Sequence, residues 1–136
     1  MPRLSVWMLR AALVALAVGS IIGAGMLAAA GGVARWRPLH AELMLVGWMV
    51  QFALGTAFWI LPRFRHGAER GGEVAGWLAF ALLNLGALWT GIGGSLAGPS
   101  GWTLVGRSAE LAGVVAFAVQ AWPRVKPFGA AGRPAG

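Results

Sequence analysis

The chain has 136 residues, of which 58% are hydrophobic and only 11% charged, with a mean hydropathy of +0.71. Soluble domains carry about 25% charged residues, so this composition excludes an ordinary soluble domain and implies a lipid environment. The absence of cysteine excludes disulfides, thiolate metal sites, iron–sulfur clusters and covalently attached haem. The net charge of +7 sits on arginines near the ends of apolar segments, so it reads as topology and contact with anionic lipid, with no nucleic-acid partner.

Four segments reach the roughly 20 residues needed to cross a hydrocarbon core: Ala11–Ala30, His40–Leu61, Val74–Leu96 and Trp102–Trp122. They predict an all-α protein, an integral membrane four-helix up-down bundle forming one domain over residues 1–127. The first segment is too long, and lacks the polar small-residue cleavage region, for a removed signal peptide; no lipidation signal is recognisable. Gly31-Gly32 ends the first helix and Arg35-Trp36-Arg37-Pro38 makes a short turn. A basic loop from Arg63 to Glu73 joins the middle helices, and Gly98-Pro99-Ser100-Gly101 is an uncharged tight turn. Pro123 closes the last helix, and the Gly/Ala/Pro tail over 128–136 reads as disordered.

Arg3, Arg10, Arg63, Arg65, Arg70, Arg124, Lys126 and Arg133 fall on one side of this layout, against Arg35, Arg37 and Arg107 on the other. The positive-inside rule then puts both termini in the cytoplasm and His40 at the outer face of the inner membrane, in a multi-pass protein. Trp7, Trp36, Trp59, Trp77, Trp102 and Trp122 lie near segment ends, as an interfacial belt requires, whereas Trp48 and Trp89 are deeper and read as packing groups or pocket walls. Gly19 with Gly23, Gly86 with Thr90 and Gly94, and Ala109 with Gly113 have the spacings that let membrane helices approach closely.

Few polar groups enter the spans, and His40 is the one that most needs a reason, because ionisable residues there are costly and usually functional. Rotation of about 100° per residue puts Met44, Gly47, Gln51 and Phe58 on the face of His40, with Gly55 beside it and Glu42 opposite. A small, polar, small face beneath an imidazole suits a flat macrocycle. His40 would be the axial ligand of a haem iron, Gly47 would clear a ring edge, and Gln51 and Gly55 would complete the face. Arg35 and Arg37 would meet the propionates. The bland reading of the same face is an interfacial histidine bonded to a loop carbonyl, with Gly47 and Gly55 serving helix contact. Arg107 and Glu110 are three apart and read first as a mutual ion pair. A sharper reading makes Glu110 or Glu42 the acceptor of the second ring N–H of His40, fixing its tautomer from the second shell together with Arg107. His66 lies in the basic loop, a membrane thickness away, and reads as solvated.

From His40 to Phe64 the sequence resembles the second helix of subunit I in the haem-copper oxidase and nitric oxide reductase superfamily, through His40, Leu43, Gly47, Trp48, Gly55 and Pro62. In that family the matching histidine is an axial ligand of the low-spin haem near the outer face. The resemblance covers about 25 residues and implies a b-type haem on His40. It also marks departures. The copper-binding histidines, the high-spin haem ligand and the second low-spin ligand have no counterpart here, so no copper is expected and the chain is no self-sufficient oxygen or nitric oxide reductase. A second axial ligand would come from another copy sharing the haem in a homo-oligomer, or from a larger respiratory subunit; otherwise the iron is five-coordinate. The competing functions are a cofactor-free accessory subunit of a respiratory membrane complex and a small transporter. The latter is disfavoured because the first span has no acidic residue.

Overall fold

The computed structural model describes residues 1–28, 34–61, 73–98 and 100–125. Within them the protein is all-helical and contains no strand. Its helices are α1 (Arg3–Ala28), α2 (Arg37–Ile60), α3 (Glu73–Ala97) and α4 (Gly101–Ala121), with single 3₁₀ turns at Ala34–Trp36 and Trp122–Arg124. All four are long and apolar enough to cross a membrane. The loop holding His66, Arg63, Arg65 and Arg70, and the tail over 128–136, lie outside the described residues.

α1 starts at Arg3, well ahead of the Ala11 expected from hydropathy. Burial explains the extension. Leu4, Ser5 and Met8 are buried, and Leu4 and Met8 pack with Phe58, Ala79, Phe117 and Ala121 in one cluster drawn from all four helices. Apolar packing at that end thus recruits residues whose own hydropathy is mixed. The other half of α1 is exposed, with Ile21 and Leu27 largely uncovered.

α2 departs most from expectation. Arg37–Glu42 and Gln51–Ile60 are α-helical, but Leu43–Val50 between them is π-helical. The wider i→i+5 ring turns the chain less per residue, so positions beyond it shift around the axis relative to an ideal α-helix. Gln51, expected on the face of His40, is turned to α3, where it exchanges amide hydrogen bonds with Asn84 (2.6 Å and 3.4 Å).

Glycine sets the spacing between the elements. A Cβ on Gly47 would stand 2.9 Å from Cβ of Ala15, and one on Gly55 would stand 2.9 Å from Cβ of Met8, so α1 lies close against α2. Between α3 and α4 the approach reaches the backbone. A Cβ on Gly86 would stand 2.9 Å from the Gly106 carbonyl oxygen, and one on Gly113 would stand 3.2 Å from that of Ala79. This close-packing logic, which gains dispersion contacts in lipid, involves Gly86, Thr90 and Gly113 as expected. Gly94 instead clears Pro38 of α2. At the turn before α4, Gly98 takes φ +71°, a conformation that favours glycine. The Ser100 N–H donates to the Thr103 hydroxyl at 3.1 Å to start the helix.

Arg124 was expected to lie among topology-setting surface charges; it is 1% exposed. Its guanidinium donates to the carbonyls of Phe58 (2.9 Å) and Leu61 (2.8 Å) and lies over the Phe58 ring at 4.9 Å. The chemistry of Pro62 supplies a reason: proline has no N–H, so the carbonyl four residues earlier needs another donor.

Candidate functional site

His40 and Glu42 leave α2 on different sides and build different environments. His40 turns to α1. Its Nδ1 lies 2.8 Å from the Gly19 carbonyl oxygen. A carbonyl can only accept, so Nδ1 carries the proton and, in the neutral ring, Nε2 keeps a lone pair. Gly23 makes room for the ring: a Cβ there would stand 2.8 Å from Cε1 and 3.1 Å from Nδ1. The imidazole lines a cleft of about 750 Å³ between the exposed half of α1 and the start of α2. Ser20, Gly23, Ala24 and Leu27 form one wall, Arg37, His40 and Ala41 form the other, and Met26 also contributes.

Of the residues expected around a haem, the cleft brings together His40 and Arg37. Arg35 is exposed and stacks on its neighbour Trp36 at 5.2 Å. Gly47 and Gly55 face α1 and serve helix contact, the bland alternative read from the sequence. Gln51 belongs to the Asn84 pair. None of these three lines the cleft, because α1 and the π-helical turn occupy or redirect the face on which they were projected. Sequence reasoning missed Gly19, whose carbonyl holds the ring, and the whole α1 wall of the cleft, Gly23 and Met26 included. The Gly19–Gly23 spacing was visible, but spacing alone does not reveal that a histidine from another helix sits on it.

The second-shell expectation for Glu42 and Glu110 is corrected. The ring N–H of His40 is taken by Gly19, and the two carboxylates are engaged elsewhere. Arg107 bridges them: Nη2 lies 2.5 Å from Oε1 of Glu42, and Nη1 lies 3.1 Å from Oε2 of Glu110. The Arg107–Glu110 pair read from the sequence is present, and Glu42 joins it across helices. The side chain of Arg107 is 53% exposed while those of Glu42 and Glu110 are 4% and 9% exposed. The cluster sits on glycines of α3, since a Cβ on Gly86 would stand 2.8 Å from Cγ of Glu110 and one on Gly91 would stand 3.4 Å from Cβ of Glu42. Among the described residues no group of three or more His, Asp or Glu side chains could hold a metal ion by itself.

No family model, curated protein or solved structure matches this chain.

Proposed function

We propose that this protein is a multi-pass inner-membrane haem protein, an up-down bundle with both termini in the cytoplasm, that serves electron transfer, alone or within a respiratory oxidase-like complex. The observation that carries this reading is the imidazole of His40: Nδ1 is held by the Gly19 carbonyl, which leaves Nε2 as a ligand in a cleft of ligand size. The residues present fit a b-type haem on one side. His40 would hold the iron through a ring nitrogen, Gly23 and Ala24 would form a low wall, and Arg37 would meet a propionate. A bound haem would supply one-electron chemistry whose potential follows the axial ligands and local polarity. The chain's own part is to fix the tautomer and orientation of His40 and to keep one wall of the cleft apolar.

A second ligand to a bound iron, where there is one, would come from a larger respiratory subunit or from one of two nearer sources. A second copy could present its own His40 across a two-fold axis, or Met26, which also lines the cleft, could serve within the chain. The accessory-subunit alternative draws support from Gly47 and Gly55, whose positions helix contact alone explains.

The test is the visible spectrum of detergent-purified protein made with ample haem, oxidised and dithionite-reduced. Soret and α bands that vanish in His40→Ala and persist in His66→Ala are expected. Their absence from the native protein overturns the haem reading and leaves the accessory subunit. Where bands are present, Met26→Leu separates the sources. A change to a high-spin spectrum assigns Met26, and an unchanged six-coordinate spectrum with one haem per two chains assigns a second copy.

A further inference from the structure

The Glu42–Arg107–Glu110 cluster is independent of the haem reading and has unused coordinating capacity. Arg107 takes one oxygen from each carboxylate. The other oxygen of each, Oε2 of Glu42 and Oε1 of Glu110, is buried without a hydrogen-bond partner. A third oxygen completes the set. Thr90, 4% exposed, has a buried hydroxyl that is also without a partner. On α3 it stands between Gly86, against which Glu110 packs, and Gly91, against which Glu42 packs. Its Oγ1 lies against Gly106, the residue before Arg107 and one turn before Glu110. Three neighbouring helices thus each carry one buried, unpartnered oxygen, and their contacts run through Gly86, Gly91 and Gly106.

Charge makes the same point. With both carboxylates ionised, one guanidinium leaves one negative charge uncompensated in a buried site, which is strongly unfavourable and calls for a balancing positive charge. Oxygen donors with net negative charge select hard cations, and a single positive charge restores neutrality where a divalent ion would overshoot it. The half-exposed side chain of Arg107 marks the side from which an ion can enter.

We propose that Glu42, Glu110 and Thr90 form a binding site for one monovalent metal cation, with Arg107 holding the two carboxylates in place. The ion would lock α2, α3 and α4 together, so its binding is read as stability.

The experiment uses the full chain in detergent or nanodiscs and follows thermal unfolding by tryptophan fluorescence. Sodium, potassium, lithium and N-methylglucamine chlorides are compared at fixed ionic strength and pH. A saturable rise in the midpoint, on the order of 5 °C, is expected for at least one alkali cation relative to N-methylglucamine. Thr90→Val keeps the side-chain shape and removes the hydroxyl; it should weaken the apparent cation affinity about tenfold, the loss of one good ligand. Glu110→Gln removes the surplus charge and should abolish the response. Equal midpoints in all four salts overturn the proposal, as does a cation response that survives both substitutions. A midpoint that follows pH but not cation identity also overturns it and assigns the balancing charge to a proton.

Discussion

His40 and Glu42 are separated by one residue, yet α2 sends them into regions built on opposite principles. The His40 side is loose: one carbonyl holds the ring, glycine and alanine form the wall, and a cleft remains open beside the exposed half of α1. The Glu42 side is tight. A guanidinium bridges two buried carboxylates, and glycines bring α3 and α4 to backbone contact. The difference teaches that a polar residue in a membrane helix is not evidence for one shared site. The helix assigns it to whichever neighbour its rotation meets, and the two sides here carry separate consequences for folding and for ligand binding.

The sharpest way to break this division is to remove one charge or ring from each side. Arg107→Ala leaves two buried carboxylates facing each other, and because the guanidinium is half-exposed the cost falls at the lower end of the range, about 3–5 kcal/mol, for breaking a buried pair. His40→Ala removes a ring beside an open cleft and one hydrogen bond, with an expected cost of about 1 kcal/mol. Denaturation of both variants in mixed micelles should therefore show Arg107→Ala severely destabilised and His40→Ala close to the native protein. Similar losses in the two would erase the contrast.

Arg124 extends the comparison to the opposite end of α2. Its guanidinium supplies donors to the Phe58 and Leu61 carbonyls that the end of α2 leaves open. Arg124→Met should lower stability by about 2 kcal/mol, the scale of hydrogen bonds to a charged donor. Arg124→Lys should recover part of that, because an ammonium can donate to both carbonyls but does not stack on Phe58 as a planar guanidinium does. The same denaturation assay reads both variants, and a neutral Arg124→Met would return this arginine to the surface.

On the loose side, Gly23 and Gly25 form an internal control. A Cβ at Gly23 would meet the His40 ring at 2.8 Å, whereas one at Gly25 would meet nothing within 4 Å. Gly23→Ala should displace the imidazole from Gly19 and lower haem occupancy in the Soret band at least several-fold, with a stability loss of about 1 kcal/mol. Gly25→Ala should leave occupancy unchanged and gain a few tenths of a kcal/mol from helix propensity. Equal occupancy in the two variants would separate the imidazole's seat from ligand binding.

The sequence made the helices legible because hydropathy over spans of about 20 residues is a strong signal, and the Arg107–Glu110 pair was legible because three-residue spacing is local geometry. His40 was singled out by the rarity of histidine in a span. What stayed hidden depends on the relation between helices. Nothing local to Glu42 points to Arg107, 65 positions along the chain, and nothing in Arg124 distinguishes a buried cap from a flanking cation. The π-helical turn over Leu43–Val50 is the costliest omission. An ideal 3.6-residue period projected Gln51 beneath His40, and eight residues of wider winding carried it to α3.

The Gln51–Asn84 pair gives the smallest expected effect and tests that rotation directly. Each amide donates to the other side chain's carbonyl, and Asn84 Nδ2 also donates to the Phe80 carbonyl at 2.7 Å. Hydrogen bonds between membrane helices couple by about 0.6 kcal/mol on average, because the unpaired groups find other partners. Gln51→Leu, Asn84→Leu and the double variant should therefore show a coupling energy of about 0.5–1.5 kcal/mol in the denaturation assay. If α2 were an uninterrupted α-helix, Gln51 would lie on the face of His40 toward α1, and the two substitutions would be additive. Additivity in this cycle would remove the π-helical winding and, with it, the physical reason that His40 and Gln51 serve different sides of the helix.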